Sequence, residues 1–370
     1  MPIKILSDIV DVVSEHISNP GTSGFEIFVG LEHYDSGDPL ITRYGSTNNL
    51  ASSVKHFVSG DILVARRNVY LRRAGVVRFE GVTSGDSIVL RVKDKEYSDI
   101  LPFILNSDDF WDYAEQNSDG TMSKRLAPDV LLEYECNIPD NHYQIANKLW
   151  AAYRLKESYK RLLAATDEMV KSQFIEMFGG CANRIKLSSL CSTFVDGDWI
   201  ESKDQSELGV RLIQTGNVGN GFFKDKEDKS RYISEETFDN LHCTEIYPGD
   251  ILVSRLPDPI GRACIIPQGI GRTITAVDCT IIRLKDIILP DYFIAYTMTP
   301  SYAAQINEVT TGTTRRRVSR ANLGNILIPC PSIAKQQQFV AIAKQADKSK
   351  FELRRSIDAI DKVIKSLING

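Results

Sequence analysis

The chain has 370 residues, of which 42% are hydrophobic and 25% charged, with a formal charge of −4 and a pI near 5.8. That length predicts two to three domains at about 150 residues each, and the composition is that of a soluble globular protein rather than a disordered one. No run of about 18 apolar residues occurs, which argues against a transmembrane helix, and the acidic sum excludes a protein coated in positive charge while leaving room for a local basic face.

The N-terminal stretch "MPIKILSDIVDVVSEH" lacks a basic segment followed by a long apolar one, so no signal peptide is expected and the setting is read as cytoplasmic. Seven cysteines, an odd number with no C-x-x-C pair, point to buried free thiols in a reducing compartment rather than to a zinc site or a disulfide framework.

In chain order, "FVGLEHYDSG" from Phe28 reads as a strand running into a polar turn. "GDILVARR" from Gly60 is a turn followed by a buried strand, and it leads into "NVYLRR". This places Arg66, Arg67, Arg72 and Arg73 around Tyr70. "DSIVLRVKD" from Asp86 is an alternating strand. "DGTMSKRL" from Asp119 is a Gly-Thr turn followed by Lys124 and Arg125. From His142 to Gly179 apolar residues recur at helical spacing, with Ile145, Leu149, Ala152, Leu155, Tyr159, Leu162, Thr166 and Met169 forming a coiled-coil rhythm.

The series then repeats. "LIQTGNVGNG" starts at Leu212, and "GDILVSRL" at Gly249 runs on to Arg255 and Arg262. "DCTIIRLKD" starts at Asp278, and "TGTTRRRV" at Thr311 carries Arg315, Arg316 and Arg317, with Arg320 beyond. A second long helix from Gln336 to Gly370 carries Leu353, Ile357, Ile360, Ile364 and Leu367 on one stripe. A repeat this long is a duplicated domain, not a solenoid.

The expected fold is α+β: two similar strand-rich domains, residues 1–138 and 182–330, with long helices at 139–181 and 331–370. Neither helix can bury its stripe alone, so the two are expected to pair antiparallel in a coiled coil, with pseudo-two-fold symmetry. No phosphate-binding loop, dinucleotide fingerprint, nucleophile elbow or H-E-x-x-H occurs, and the five histidines are scattered. No catalytic or metal-ligating residue is therefore assigned. A basic run taken alone is more often a solvated loop than a binding site. Its recurrence at the same place in both copies favours DNA contact, since arginine forks suit phosphate and guanine.

These phrases, with "DEMVKSQFIEMFG" and "TTRRRVSRANLGNILIPCP", resemble over nearly the whole chain the specificity (S) subunit of type I restriction–modification systems. The resemblance implies a non-catalytic subunit with two target-recognition domains, each reading half of a split double-stranded DNA target. It implies that the long helices space the domains and dock methyltransferase subunits, expected to be two, and that restriction motor-nuclease subunits join them. S-adenosylmethionine, ATP and Mg would then belong to the partners, with no cofactor on this chain. The competing reading is a coiled-coil adaptor whose duplicated domains bind protein.

Overall fold

The computed structural model describes residues 3–22, 24–48, 50, 52–121, 123–313 and 316–369. Its local order follows from the repeated phrase. Gly60 and Gly249 take φ of +98° and +93°, a left-handed conformation that costs glycine little. Each turns the chain into a strand, Ile62–Ala65 or Ile251–Ser254, in which every residue is buried. A continuous apolar run is what a strand covered on both faces requires.

The chain divides into two compact units, one of residues 1–160 and 353–370, the other of residues 161–352. In the first, a five-stranded sheet runs in the order Val10–Val13, Ser87–Val92, Ile62–Ala65, Ala74–Val77, Leu40–Ile41. A second sheet runs His16–Ile17, Val54–Phe57, Gly81–Thr83, Ile27–Val29, Gly45–Ser46. Ile3–Ile5 pairs separately with Glu135–Asn137.

The other unit repeats this plan. Its first sheet has the order Cys191–Asp196, Cys279–Leu284, Ile251–Ser254, Ala263–Ile265. Its second runs Gln205–Ser206, Arg231–Ile233, Val210–Ile213, Thr273–Thr275, and Arg184–Lys186 pairs with Leu327–Pro329.

The correspondence extends to single bonds. Each second sheet contains one parallel pair, Gly81–Thr83 on Ile27–Val29 and Thr273–Thr275 on Val210–Ile213. In each, a buried threonine hydroxyl donates to the carbonyl of the neighbouring strand's last residue: Thr83 to Val29 at 2.7 Å, Thr275 to Ile213 at 2.9 Å. In each, the following residue's amide donates to a side chain three positions on: Gly30 to His33 and Gln214 to Asn217.

Both long helices have 37 residues, His142–Phe178 and Ile333–Asn369, about 55 Å at 1.5 Å per residue. They pack antiparallel: Lys156 meets Asp361 at 2.5 Å in the first unit, and Lys350 meets Asp167 at 2.8 Å in the second. The boundary between the compact units runs through both helices, at 160/161 and 352/353, and so does not follow the helix ends. In the first unit Ala146, Leu149 and Tyr153 enter the core, with Ile364, Leu367 and Ile368 packed against it. In the second, Phe174, Phe178 and Phe339 cluster with Tyr292 and Tyr296.

The stripe expected on the second helix is half-buried at Leu353, Ile357, Ile360, Ile364 and Leu367. On the first helix the expectation needs correction. Leu155, Leu162 and Met169 are about half exposed. Of the expected stripe Leu149 is buried and Ile145, Ala152, Tyr159 and Thr166 are half-buried, while Tyr153, Phe174 and Phe178 are buried outside it. One partner helix covers a narrow seam, and this helix has more apolar width than one seam uses.

All seven cysteines are free, six of them buried and Cys181 partly so. Among the described residues no helix is long and apolar enough to cross a membrane. Among the described residues no group of three or more His, Cys, Asp or Glu is placed to hold a metal ion.

Candidate nucleic-acid interface

The frame of the site is an ion pair that each copy builds from its repeated phrases. Asp61, the second residue of "GDILV", is buried and receives Arg91 of "DSIVLRVKD" through two bonds of 2.8 and 2.7 Å. Asp250 receives Arg283 the same way at 2.8 and 2.6 Å. Each aspartate also caps its own turn, accepting the amide of Val58 or Tyr247 at 2.9 Å. Hydrogen bonding to the aspartate holds the guanidinium of Arg91, and likewise of Arg283, above its usual pKa. The pair locks the turn to the central strand, and that strand begins next to the basic loops.

An arm leaves each buried strand, residues 66–73 in one copy and 255–262 in the other. Their final arginines are staples. Arg73 donates to the carbonyls of Leu31 and Arg67 at 2.9 and 3.2 Å. Arg262 donates to Val218, Leu256, Pro259 and Thr215 at 2.7 to 3.0 Å. Burial lowers the pKa of both guanidinium groups. Arg255 is 4% exposed, donates to the Val277 carbonyl and lies 3.5 Å from Asp196. Arg66 is half-buried, its Nε without an acceptor among the described residues.

Arg72 has a left-handed backbone and is held by Asp108, Asp112 and Glu115 at 3.0, 2.8 and 3.4 Å. The acidic run of 108–119 therefore neutralises part of the basic run instead of lying apart from it. The arm residues expected to contact DNA are thus placed differently from one another. Arg255 and Arg262 are withdrawn into the fold, Arg72 is held by its three carboxylates, and both terminal nitrogens of Arg73 donate to backbone carbonyls. Arg67 and Tyr70 remain exposed, Tyr70 on the 3-10 turn Val69–Leu71.

The Gly-Thr turns are tight hairpins packed on these arms. Asp119 and Arg125 exchange backbone hydrogen bonds at 3.0 and 2.8 Å, and Thr311 and Arg317 do so at 2.9 Å. Gly120 and Gly312 supply the positive φ the turn needs. The hairpins are tied to the arms by Leu126 N–H to the Arg66 carbonyl at 2.8 Å and Val318 N–H to the Arg255 carbonyl at 3.3 Å.

Arg125, Arg316, Arg317 and Arg320 are exposed, whereas Lys124 is half-buried and donates to the Glu115 carbonyl at 2.8 Å. Arg320 opens the helix Arg320–Asn325, its Nε 3.9 Å from Asp196. Arg315 lies outside the described residues. The fold thus brings together Arg67 and Arg125 in one copy, and Arg317 with the Arg255 backbone in the other.

Two residues of the site were missed in the sequence. Asp86 lies 3.6 Å from both Arg67 and Arg125, and Asp278 lies 3.2 Å from Arg317. Both open the repeated phrases "DSIVLRVKD" and "DCTIIRLKD", so their shared position was a signal available before any coordinates.

Residues 184–360 match the family described as the type I restriction modification DNA specificity domain. No curated protein matches the sequence. One similar solved chain is described as "Structural basis underlying complex assembly and conformational transition of the type I R-M system". It has a TM-score of 0.61 at 16% identity, over 100% of this chain and 96% of that one. Another is the type I restriction-modification system S subunit from M. genitalium, with a TM-score of 0.56 at 13% identity over 99% of this chain and 94% of that one. At such identities these likenesses speak for the fold, and the family match speaks for the sequence. The hairpin, arm and central strand of the second copy all lie inside the stretch that matches the type I restriction modification DNA specificity domain.

Proposed function

We propose that this chain is the DNA sequence-specificity subunit of a type I restriction–modification complex. Each unit reads one half of a bipartite double-stranded target, and the chain directs methyltransferase and restriction motor-nuclease subunits to it without catalysing either reaction. The observation that carries this reading is the duplicated hairpin. Two copies of one fold present exposed arginines at the same turn, Arg125 in one and Arg317 in the other, in a chain whose residues 184–360 match a DNA specificity domain.

Partner docking is assigned to the long helices. Leu155, Leu162 and Met169 recur every seven residues and stay about half exposed, and Phe351 and Val363 are exposed on the second helix. Apolar stripes of that kind suit partner helices. Duplication of the fold supports two methyltransferase subunits per chain. In this reading S-adenosylmethionine, ATP and Mg²⁺ are held by the partners, and the complex works in the cytoplasm.

The test is methylation mapping of a host genome with and without the gene. A split target should be methylated only when the gene is present. Identical maps would overturn the reading.

A further inference from the structure

We propose that Asp86 and Asp278 are positioning residues for target reading: each carboxylate fixes the arginine side chains that lie against it, so that they discriminate between bases rather than adhere to any phosphate. The inference rests on the function proposed above and assigns a role to a group outside the expected DNA-contact set.

The geometry is built twice. In the first copy one carboxylate spans two elements, with Oδ2 at 3.6 Å from Arg67 on the arm and Oδ1 at 3.6 Å from Arg125 on the hairpin. In the second, Asp278 Oδ1 lies 3.2 Å from Arg317 on the hairpin. The backbone of the same aspartate holds the arm, since the Asp86 carbonyl accepts the Arg66 amide and the Asp278 carbonyl accepts the Arg255 amide, both at 2.9 Å. Each aspartate directly precedes the strand, Ser87–Val92 or Cys279–Leu284, whose arginine is locked to the buried Asp61 or Asp250. The carboxylate is therefore mounted at the start of a strand that is itself locked in place. Meanwhile Arg67, Arg125 and Arg317 each remain about half exposed, leaving part of each fork open.

A carboxylate beside a DNA-facing arginine is unfavourable for affinity alone, because it adds negative charge next to phosphates. What it contributes is orientation. A fork held in place loses less freedom on binding, and bidentate guanine recognition depends on the plane and direction of that fork. An ordinary exposed ion pair would contribute little and would leave recognition unmoved.

The test uses the chain assembled with its methyltransferase partner and the variants Asp86→Asn and Asp278→Asn, which keep shape and remove charge. Affinity is measured for the mapped target duplex and for a scrambled duplex of equal length. The ratio should fall about tenfold, with binding to the scrambled duplex unchanged or tighter. Methylation maps should show Asp278→Asn relaxing one half-site and Asp86→Asn relaxing only the other. Arg317→Lys, which keeps the charge and loses the fork, should reproduce the Asp278→Asn map and guards against a variant that fails to assemble.

Unchanged ratios and maps would overturn the proposal. So would weakening toward both duplexes alike with a lowered melting temperature, which is what a merely structural aspartate gives. A wild-type complex that does not distinguish the two duplexes would instead overturn the function on which the proposal rests, and the proposal with it.

Discussion

Asp61 and Asp250 are buried while their partners Arg91 and Arg283 keep about two-fifths of their side chains exposed, so the two ends of each ion pair are not equivalent. Removing the arginine strands a carboxylate away from water, and Arg91→Ala or Arg283→Ala should each cost about 3–5 kcal/mol. Removing the aspartate leaves a guanidinium that water can reach, so Asp61→Ala or Asp250→Ala should cost less, about 1–3 kcal/mol for the lost bonds. Denaturant unfolding of the intact chain checks the order, and equal losses would contradict this account. "GDILV" was legible as a repeated turn and strand. The purpose of its aspartate was not, because the partner arginine lies 30 or 33 residues further along and is met only across the sheet. The thiols were legible from composition. Burial pushes Cys136, Cys191 and Cys264 up to about 12, and Cys181 alone is not buried. A short pulse of thiol reagent at neutral pH should therefore add one label, at Cys181, with the other six appearing only on unfolding. Mass spectrometry of the labelled chain reads this directly.

At the scale of elements, the arm and the hairpin divide the basic residues into two kinds, and that division was hidden in the sequence. Arg262 and Arg316 look alike as letters in basic loops. One donates to four backbone carbonyls and the other is exposed. Arg316→Ala should reduce the slope of log K against log salt by about 0.9 and leave stability unchanged. Arg262→Ala should leave that slope alone and lower stability by about 1–3 kcal/mol, since it removes the donor to the buried Val218 carbonyl and to three partly buried ones. Salt-dependent binding and thermal melting of the same two variants separate the outcomes. The long helices were legible in extent because their periodicity is local. The seam of the first was misplaced because Leu155, Leu162 and Met169 keep heptad spacing as faithfully as the buried positions do. Spacing alone does not say which stripe faces the partner helix.

At the scale of the molecule, the duplication was the strongest signal, since the same phrases appear in the same order in both halves. The structure adds why each half is a module. Arg184–Lys186 pairs antiparallel with Leu327–Pro329, and the Cys330 amide donates to the Asn183 carbonyl, so the two ends of the segment 182–330 are hydrogen-bonded to each other. Ile3–Ile5 and Glu135–Asn137 close the first copy in the same way. Replacing 182–330 with the equivalent segment of a relative should change one half of the methylated target and leave the other intact. A map in which both halves change would show that the copies do not read independently.

The first unit is not finished by its own stretch of chain. Ile364, Leu367 and Ile368 pack on its core, and Lys365 and Asn369 reach Asp108. During synthesis, residues 161–352 must emerge before those side chains exist. At about 5–20 residues per second that is a delay of roughly 10 to 40 s. Over that interval the nascent chain carries an open apolar seat awaiting its last turns, and chaperones have that long to hold it. Of the two units, the one that begins to emerge earlier is thus the one completed later.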